Sequence, residues 1–265
     1  MLTERGVSEY IAGPLRVSWR SIRKDQAVEK EKEVNKTSEP GKPASRAVLF
    51  ELETSAVGGR KMLYDLLKRV LADKEIELTP TLFSRYCLSG KLKEAVMKVV
   101  KETGKKRVSE EKLTEEVMEG LEAAFSKGNL KCDPGMNTLI KRVGDNGILL
   151  GALGCLSRET LDKLIRTVGW EERNIHVVPC SGAEKVFPTA DAWLKLAKSM
   201  AVRSTRCVVL TTSQTSCKAA LSAGMKCVVV SDEYSAFQDF GGADYVADGM
   251  GKAVVDQLLE LLDLD

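Results

Sequence analysis

Glu51 and Glu53 stand two residues apart at the end of a short apolar run that begins at Ala47. Side chains alternate along a strand with period two, so both carboxylates are expected on one face of a strand end. That placement suits a carboxylate nucleophile beside a general acid. The pair admits two other uses. One is to hold a cation together with Asp232 or Glu233 near another strand end. The other is to be solvated at a crevice mouth or neutralised by a nearby Lys or Arg, which is favoured because reacting atoms tolerate little displacement. Thr211, Thr212 and Ser213 bring hydroxyls to a predicted helix N-terminus, where backbone N–H groups favour a phosphate or carboxylate. Simple N-capping by Ser213 accounts for the same residues. His176, the single histidine, falls in an apolar strand with no Cys or Asp at ligand spacing, and reads as a core or edge residue.

These groups need a scaffold, and the chain supplies the pattern of one. From Ala47 onward, short apolar runs alternate with helical segments, as in a doubly wound parallel sheet. Strands are expected at Ala47–Leu52, Gly147–Leu153, Asn174–Val178, Cys207–Leu210 and Cys227–Val230, with a weaker one near Tyr245 and Val246. Each is apolar on both faces, as a sheet between two helix layers requires. Asp133 followed by Pro134 predicts a helix start and Gly144 its end, and Ser213 to Gly224 repeats that punctuation without the proline. Residues 60–130 read as helices alone, with Leu63, Leu66, Leu67, Val70 and Leu71 at helical spacing, then Leu113, Val117, Leu121, Ala124 and Phe125. This helical insert follows the first strand, with Gly58 and Gly59 at one joint and residues 128–133 at the other. The C-terminal ends of the strands form the crevice in such folds, so the insert lies over it.

A chain of 265 residues with 43% apolar content can bury a full core. Its net charge of +2 comes from dense, balanced acidic and basic residues, which argues against a nucleic-acid surface. Seven cysteines, odd in number and without a Cys-x-x-Cys pair, read as reduced thiols in an intracellular compartment. No membrane span and no secretion signal are expected. Residues 1–45 differ from the rest: a charge run from Glu29 to Glu33 precedes a Pro- and Gly-containing linker. In this arm Tyr10, Leu15 and Trp19 are interleaved with Arg20 and Arg23, a mixture that suits a protein partner's surface or, equally, packing back on the arm's own domain.

The strand Val48 to Thr54, the helical insert, the segment Arg206 to Ser213 and the run Ala219-Ala220-Leu221-Ser222-Ala223-Gly224-Met225 together resemble the haloacid dehalogenase superfamily. With Asp239-Phe240 and Gly242-Ala243-Asp244, the chain looks most like its β-phosphoglucomutase and CbbY-type branch of bacterial and plastid sugar-phosphate phosphatases. The resemblance covers roughly residues 46–263 and implies a Rossmann-like doubly wound core, residues 46–59 and 131–265, with an inserted α-helical cap at 60–130. It also implies four catalytic motifs: two aspartates after the first strand, a hydroxyl after the second, a lysine before the third core helix, and an acidic pair that completes a magnesium site.

This sequence departs from each motif. Glu51 and Glu53 stand for the aspartates, Gly154 for the hydroxyl residue, Phe187 for the lysine, and Thr211 and Thr212 for the acidic pair. Lys185, two residues before Phe187, is the one nearby cation that could compensate, although a charged residue in this Ser-Gly-Ala-Glu-Lys loop reads more readily as a surface lysine. Lengthening the nucleophile by a methylene displaces its oxygens by about an ångström, which costs on the order of a hundredfold in rate. The expectation is therefore a pseudoenzyme that needs no cofactor and serves as a structural or regulatory subunit of an assembly in the plastid stroma or cytoplasm. The alternative is a magnesium-dependent phosphatase or phosphomutase acting on small sugar phosphates through Glu51, Glu53 and Lys185.

Overall fold

The computed structural model describes residues 45–88, 92–104, 108–127, 130–180 and 188–263. Tyr10, Leu15, Trp19, Arg20 and Arg23 of the arm, and Lys185 and Phe187, lie outside the described residues. Among the described residues, six strands form one parallel sheet: β1 (Ala47–Glu51), β2 (Leu149–Gly154), β3 (His176–Pro179), β4 (Cys207–Thr211), β5 (Lys226–Val230) and β6 (Tyr245–Ala247). Their order is β3-β2-β1-β4-β5-β6, so β1 is flanked by β2 and β4 and marks the point where the winding reverses. The helices are α1 (Leu52–Val57), α2 (Gly59–Ala72), α3 (Pro80–Tyr86), α4 (Leu92–Glu102), α5 (Glu110–Phe125), α6 (Pro134–Asp145), α7 (Arg158–Thr167), α8 (Ala190–Ser199), α9 (Gln214–Ser222) and α10 (Lys252–Asp263).

Alternation along the strands separates two hydrophobic layers. Val48, Phe50, Leu150, Val208 and Leu210 face one way and are buried with Met136, Leu139 and Leu258 of α6 and α10. Leu49, Leu153, Val209 and Cys227 face the other and are buried with Trp193 and Leu196 of α8 and Cys217 and Ala220 of α9. Each large apolar side chain removed from water contributes about 1.5–3 kcal/mol, which is why the strands carry no polar residue through their middles. Phe50 meets Trp170 edge to face, with centroids 6.1 Å apart.

Helices α2 to α5 form the insert, with no strand among its described residues. Their apolar stripes, Leu67, Val70 and Leu71 on α2 and Leu113, Val117 and Leu121 on α5, are buried in the same cluster as the first sheet layer. Tyr64 of α2, Phe83 of α3 and Tyr234 of the loop after β5 pack as a triad with centroids 5.1–5.3 Å apart. Insert and sheet therefore share aromatic as well as aliphatic contacts.

The helix starts follow the sequence closely. Asp133 Oδ1 accepts from the backbone N–H of Gly135 at 2.7 Å and of Met136 at 3.1 Å, and Pro134 takes the first helical position. Ser213 Oγ accepts from Ser216 N at 3.3 Å. Several boundaries differ. Helix α6 runs past Gly144 to Asp145, and the left-handed turn that follows it is made by Gly147 at φ 65°. That turn delays β2 to Leu149. Asn174 adopts φ 50°, a conformation asparagine tolerates, and β3 begins after it. β1 ends at Glu51 and the chain enters α1 at Leu52, so Glu53 belongs to a helix and strand alternation does not set its direction.

Candidate functional site

The crevice opens at the C-terminal ends of β1, β2 and β4, beneath the helical insert. It encloses a cavity of about 620 Å³, whose lining includes Glu51, Glu53, Arg60, Ser213 and, from the insert, Leu63, Met118, Leu121 and Phe125. That volume lies within the usual range for small-molecule sites.

Glu51 is the last residue of the central strand and is 5% exposed. Thr54 Oγ1, one helical turn on, donates to its Oε2 at 3.1 Å. Burial raises its pKa, against the opposing pull of Ser216, the Arg60 guanidinium, Thr54 and Thr211. Glu53 is also buried. Its Oε1 accepts the backbone N–H of Cys155 at 2.6 Å and of Leu156 at 3.1 Å, in the loop after β2. Burial pushes its pKa up to about 7; the backbone donors oppose the rise and the charge of Glu51 adds to it. Both carboxylates thus face the crevice, though one comes from a strand and the other from a helix.

Arg60 is the residue that sequence reasoning missed. It is the second residue of α2 and 7% exposed. Its Nη1 donates to the carbonyl oxygen of Thr212 at 2.9 Å and to Asp232 Oδ2 at 2.6 Å, and its Nη2 donates to Thr212 Oγ1 at 2.7 Å. The other oxygen of Asp232 accepts from Tyr234 N, Ser235 N and Ser235 Oγ, each at 3.0 Å. Two glycines aim the guanidinium. Gly58, at φ 65°, ends α1 and starts α2, and a Cβ on Gly59 would lie 2.7 Å from the carbonyl oxygen of Glu53 and 2.9 Å from the Phe125 ring. The available signal was weak: a basic residue directly after two glycines at a helix start, where the helix dipole favours an acid.

The remaining sequence candidates fall as follows. Gly154 ends β2 and its carbonyl accepts from Cys180 N at 2.7 Å. Thr211, Thr212 and Ser213 are all buried at the end of β4. Two of the donors at the start of α9 are engaged by the chain itself, Ser216 N by Ser213 Oγ and Gln214 N by Gln238 Oε1 at 2.9 Å. Glu233 is exposed. His176 lies on the edge strand β3, its Nε2 2.9 Å from Ser199 Oγ. The cysteines are all free, and burial pushes the thiol of Cys87, at the cavity wall, up to about 12. Among the described residues no group of three or more His, Cys, Asp or Glu is arranged to hold a metal ion.

A second bridge to the insert was also missed. Glu122 of α5 accepts from Ser157 N at 2.7 Å and Ser157 Oγ at 2.9 Å, placing its charge at the N-terminus of α7.

A six-stranded parallel core reversing at β1, a helical cap inserted after that strand and a carboxylate-bearing crevice between them make a Rossmann-like α/β fold like that of solved haloacid dehalogenase-like proteins. The curated proteins it is similar to in sequence are CbbY-like. The chain is 26% identical over 129 residues to a CBBY-like protein of Arabidopsis thaliana, covering 48% of this chain and 40% of that protein. It is 29% identical over 134 residues to Protein CbbY of Cereibacter sphaeroides, covering 49% of this chain and 58% of that one. The matches thus span about half the length of these curated relatives. A crystal structure of CbbY from Rhodobacter sphaeroides, in complex with phosphate, superposes with a TM-score of 0.66 at 20% identity, over 80% of this chain and 99% of that one. No family model matches the sequence. No helix among the described residues is long and apolar enough to cross a membrane.

Proposed function

We propose that this chain keeps the hydrolase fold without phosphoryl-transfer chemistry, and acts through binding as a structural or regulatory subunit. The observation that carries this reading is the engagement of Glu53. Catalysis at phosphorus needs donors in the crevice that are free to meet the charge developing on the phosphoryl oxygens. The resemblance puts one such group in the loop after the second strand, and there the backbone N–H groups of Cys155 and Leu156 both point at the chain's own carboxylate.

The magnesium that the fold family implies does not fit this donor set. A small hard ion wants several charged oxygens in octahedral array. Here Glu51 is one carboxylate, Thr211 and Thr212 offer neutral hydroxyls, and a guanidinium already donates to Asp232 and to both oxygens of Thr212. Residues 1–45 are the proposed attachment to a protein partner, by virtue of their mixed aromatic and basic composition. Both plastid stroma and cytoplasm suit a chain of free thiols whose relatives come from a plant and a bacterium.

A screen over sugar phosphates with added magnesium tests the reading. Turnover no greater than that of Glu51→Gln is expected; robust turnover that Glu51→Gln abolishes would overturn it. One observation favours the phosphatase alternative: a Glu53 pKa of about 7 suits a general acid. To serve, Glu53 must first leave two backbone donors, so an active enzyme would show turnover that falls with Glu53→Gln.

A further inference from the structure

Arg60 is an unusual arginine. A guanidinium removed from water costs several kcal/mol unless its partners repay it, and a cation in the first turn of a helix works against the macrodipole. Its placement must therefore come from its partners. The bonds described above run from the insert to the core: two to Thr212, just past β4, and one to Asp232, just past β5. Thr212 stands where the resemblance puts part of a magnesium-binding acidic pair. The same guanidinium acts electrostatically on Glu51, which stands for the aspartate after the first strand.

We propose that Arg60 is a built-in cation, its guanidinium standing at the ends of β1, β4 and β5 in the place the fold otherwise gives a divalent ion, so that the crevice is charge-compensated and its cap fastened without metal. The chemistry is a substitution of kind. A divalent ion draws charged oxygens inward from all sides. A planar guanidinium makes directed N–H bonds, and neutral acceptors such as a carbonyl and a hydroxyl satisfy it as well as a carboxylate does. The hydroxyls in place of an acidic pair and the buried arginine are then two sides of one arrangement. Truncating Arg60 leaves Asp232 and both oxygens of Thr212 without their cation, in a crevice whose lining also carries Glu51. That set is a latent site for a hard divalent cation.

The built-in cation rests on the non-catalytic reading for its purpose, yet the two fail separately, since a chain without turnover can still bind magnesium. The experiment is manganese binding to the full chain, followed by loss of the free-ion electron paramagnetic resonance signal and by thermal shift, for wild type, Arg60→Ala, Arg60→Lys and Arg60→Ala with Asp232→Asn. Wild type and Arg60→Lys are expected to bind no tighter than about 1 mM. Arg60→Ala is expected to gain at least about tenfold in affinity and to melt higher with manganese, because an ion that binds only the native state stabilises it. Asp232→Asn should remove that gain. Wild-type binding tighter than about 1 mM that Glu51→Gln abolishes would overturn the proposal, as would a folded Arg60→Ala with no gain over wild type. Should Arg60→Ala not fold, Arg60→Gln carries the same contrast, and the wild-type measurement decides in either case.

Discussion

Through their middles β1 and β4 carry Val48, Leu49, Phe50, Val208, Val209 and Leu210, every one buried among apolar neighbours. One residue further on they end in Glu51 and Thr211, equally buried but surrounded by hydroxyls, a guanidinium and another carboxylate. Burial is the same in the two regions and the forces are not. In the interior each side chain contributes its own transfer from water, and neighbours need only fit. At the strand ends a buried polar group is tolerable when a specific partner meets it, so each residue there depends on others far away in the chain.

The comparison can be broken most forcefully in the interior. Phe50→Ala removes a fully buried ring at the sheet centre together with its contact to Trp170, and a loss of about 3–5 kcal/mol in urea unfolding is expected, with little dependence on pH. A loss under about 1 kcal/mol would mean that the sheet centre is not the close-packed region described.

At the strand ends pH should matter. The pKa of Glu53 is raised to about 7 in the fold, so the native state holds this proton more tightly than the unfolded chain does. Stability from this group is full below the ordinary carboxylate value and is lost as pH rises through about 7. Glu51, raised for the same reason, has the same sign. Wild type should therefore lose on the order of 2–3 kcal/mol between pH 5 and pH 8. Glu53→Gln, permanently neutral, should flatten that slope and be the more stable of the two at pH 8. An unchanged slope would place the titration elsewhere.

The smallest expected effect is at the second bridge. Glu122→Ala gives up two hydrogen bonds to Ser157 at a half-exposed helix start, and about 1 kcal/mol is expected, reduced by salt. Faster amide exchange at Cys155, Leu156 and Ser157 in that variant would show that the insert steadies the loop holding Glu53; unchanged exchange would show that loop to be self-supporting.

The two regions also differed in how legible they were. The six strands, the helical insert and the caps at Asp133 and Ser213 follow from patterns contained within a few residues: two-faced apolar runs, helical spacing, an acceptor before a helix start. Glu51 and Glu53 were visible as a pair, but the geometry joining them was not, because β1 gives way to α1 at Leu52. Asp232 was visible as an acid near a strand end, whereas its role as the partner of Arg60 was not.

What the sequence alone determined is the scaffold, since burial acts on each residue through its own side chain and leaves a local period behind. What tertiary structure decided is the pairing of charges. Arg60 meets Thr212 across 152 positions and Asp232 across 172, and Glu53 meets the loop after β2 across 102 and 103. Such contacts leave no periodic trace, because Coulomb attraction and hydrogen bonding act on distance in space and not on separation along the chain.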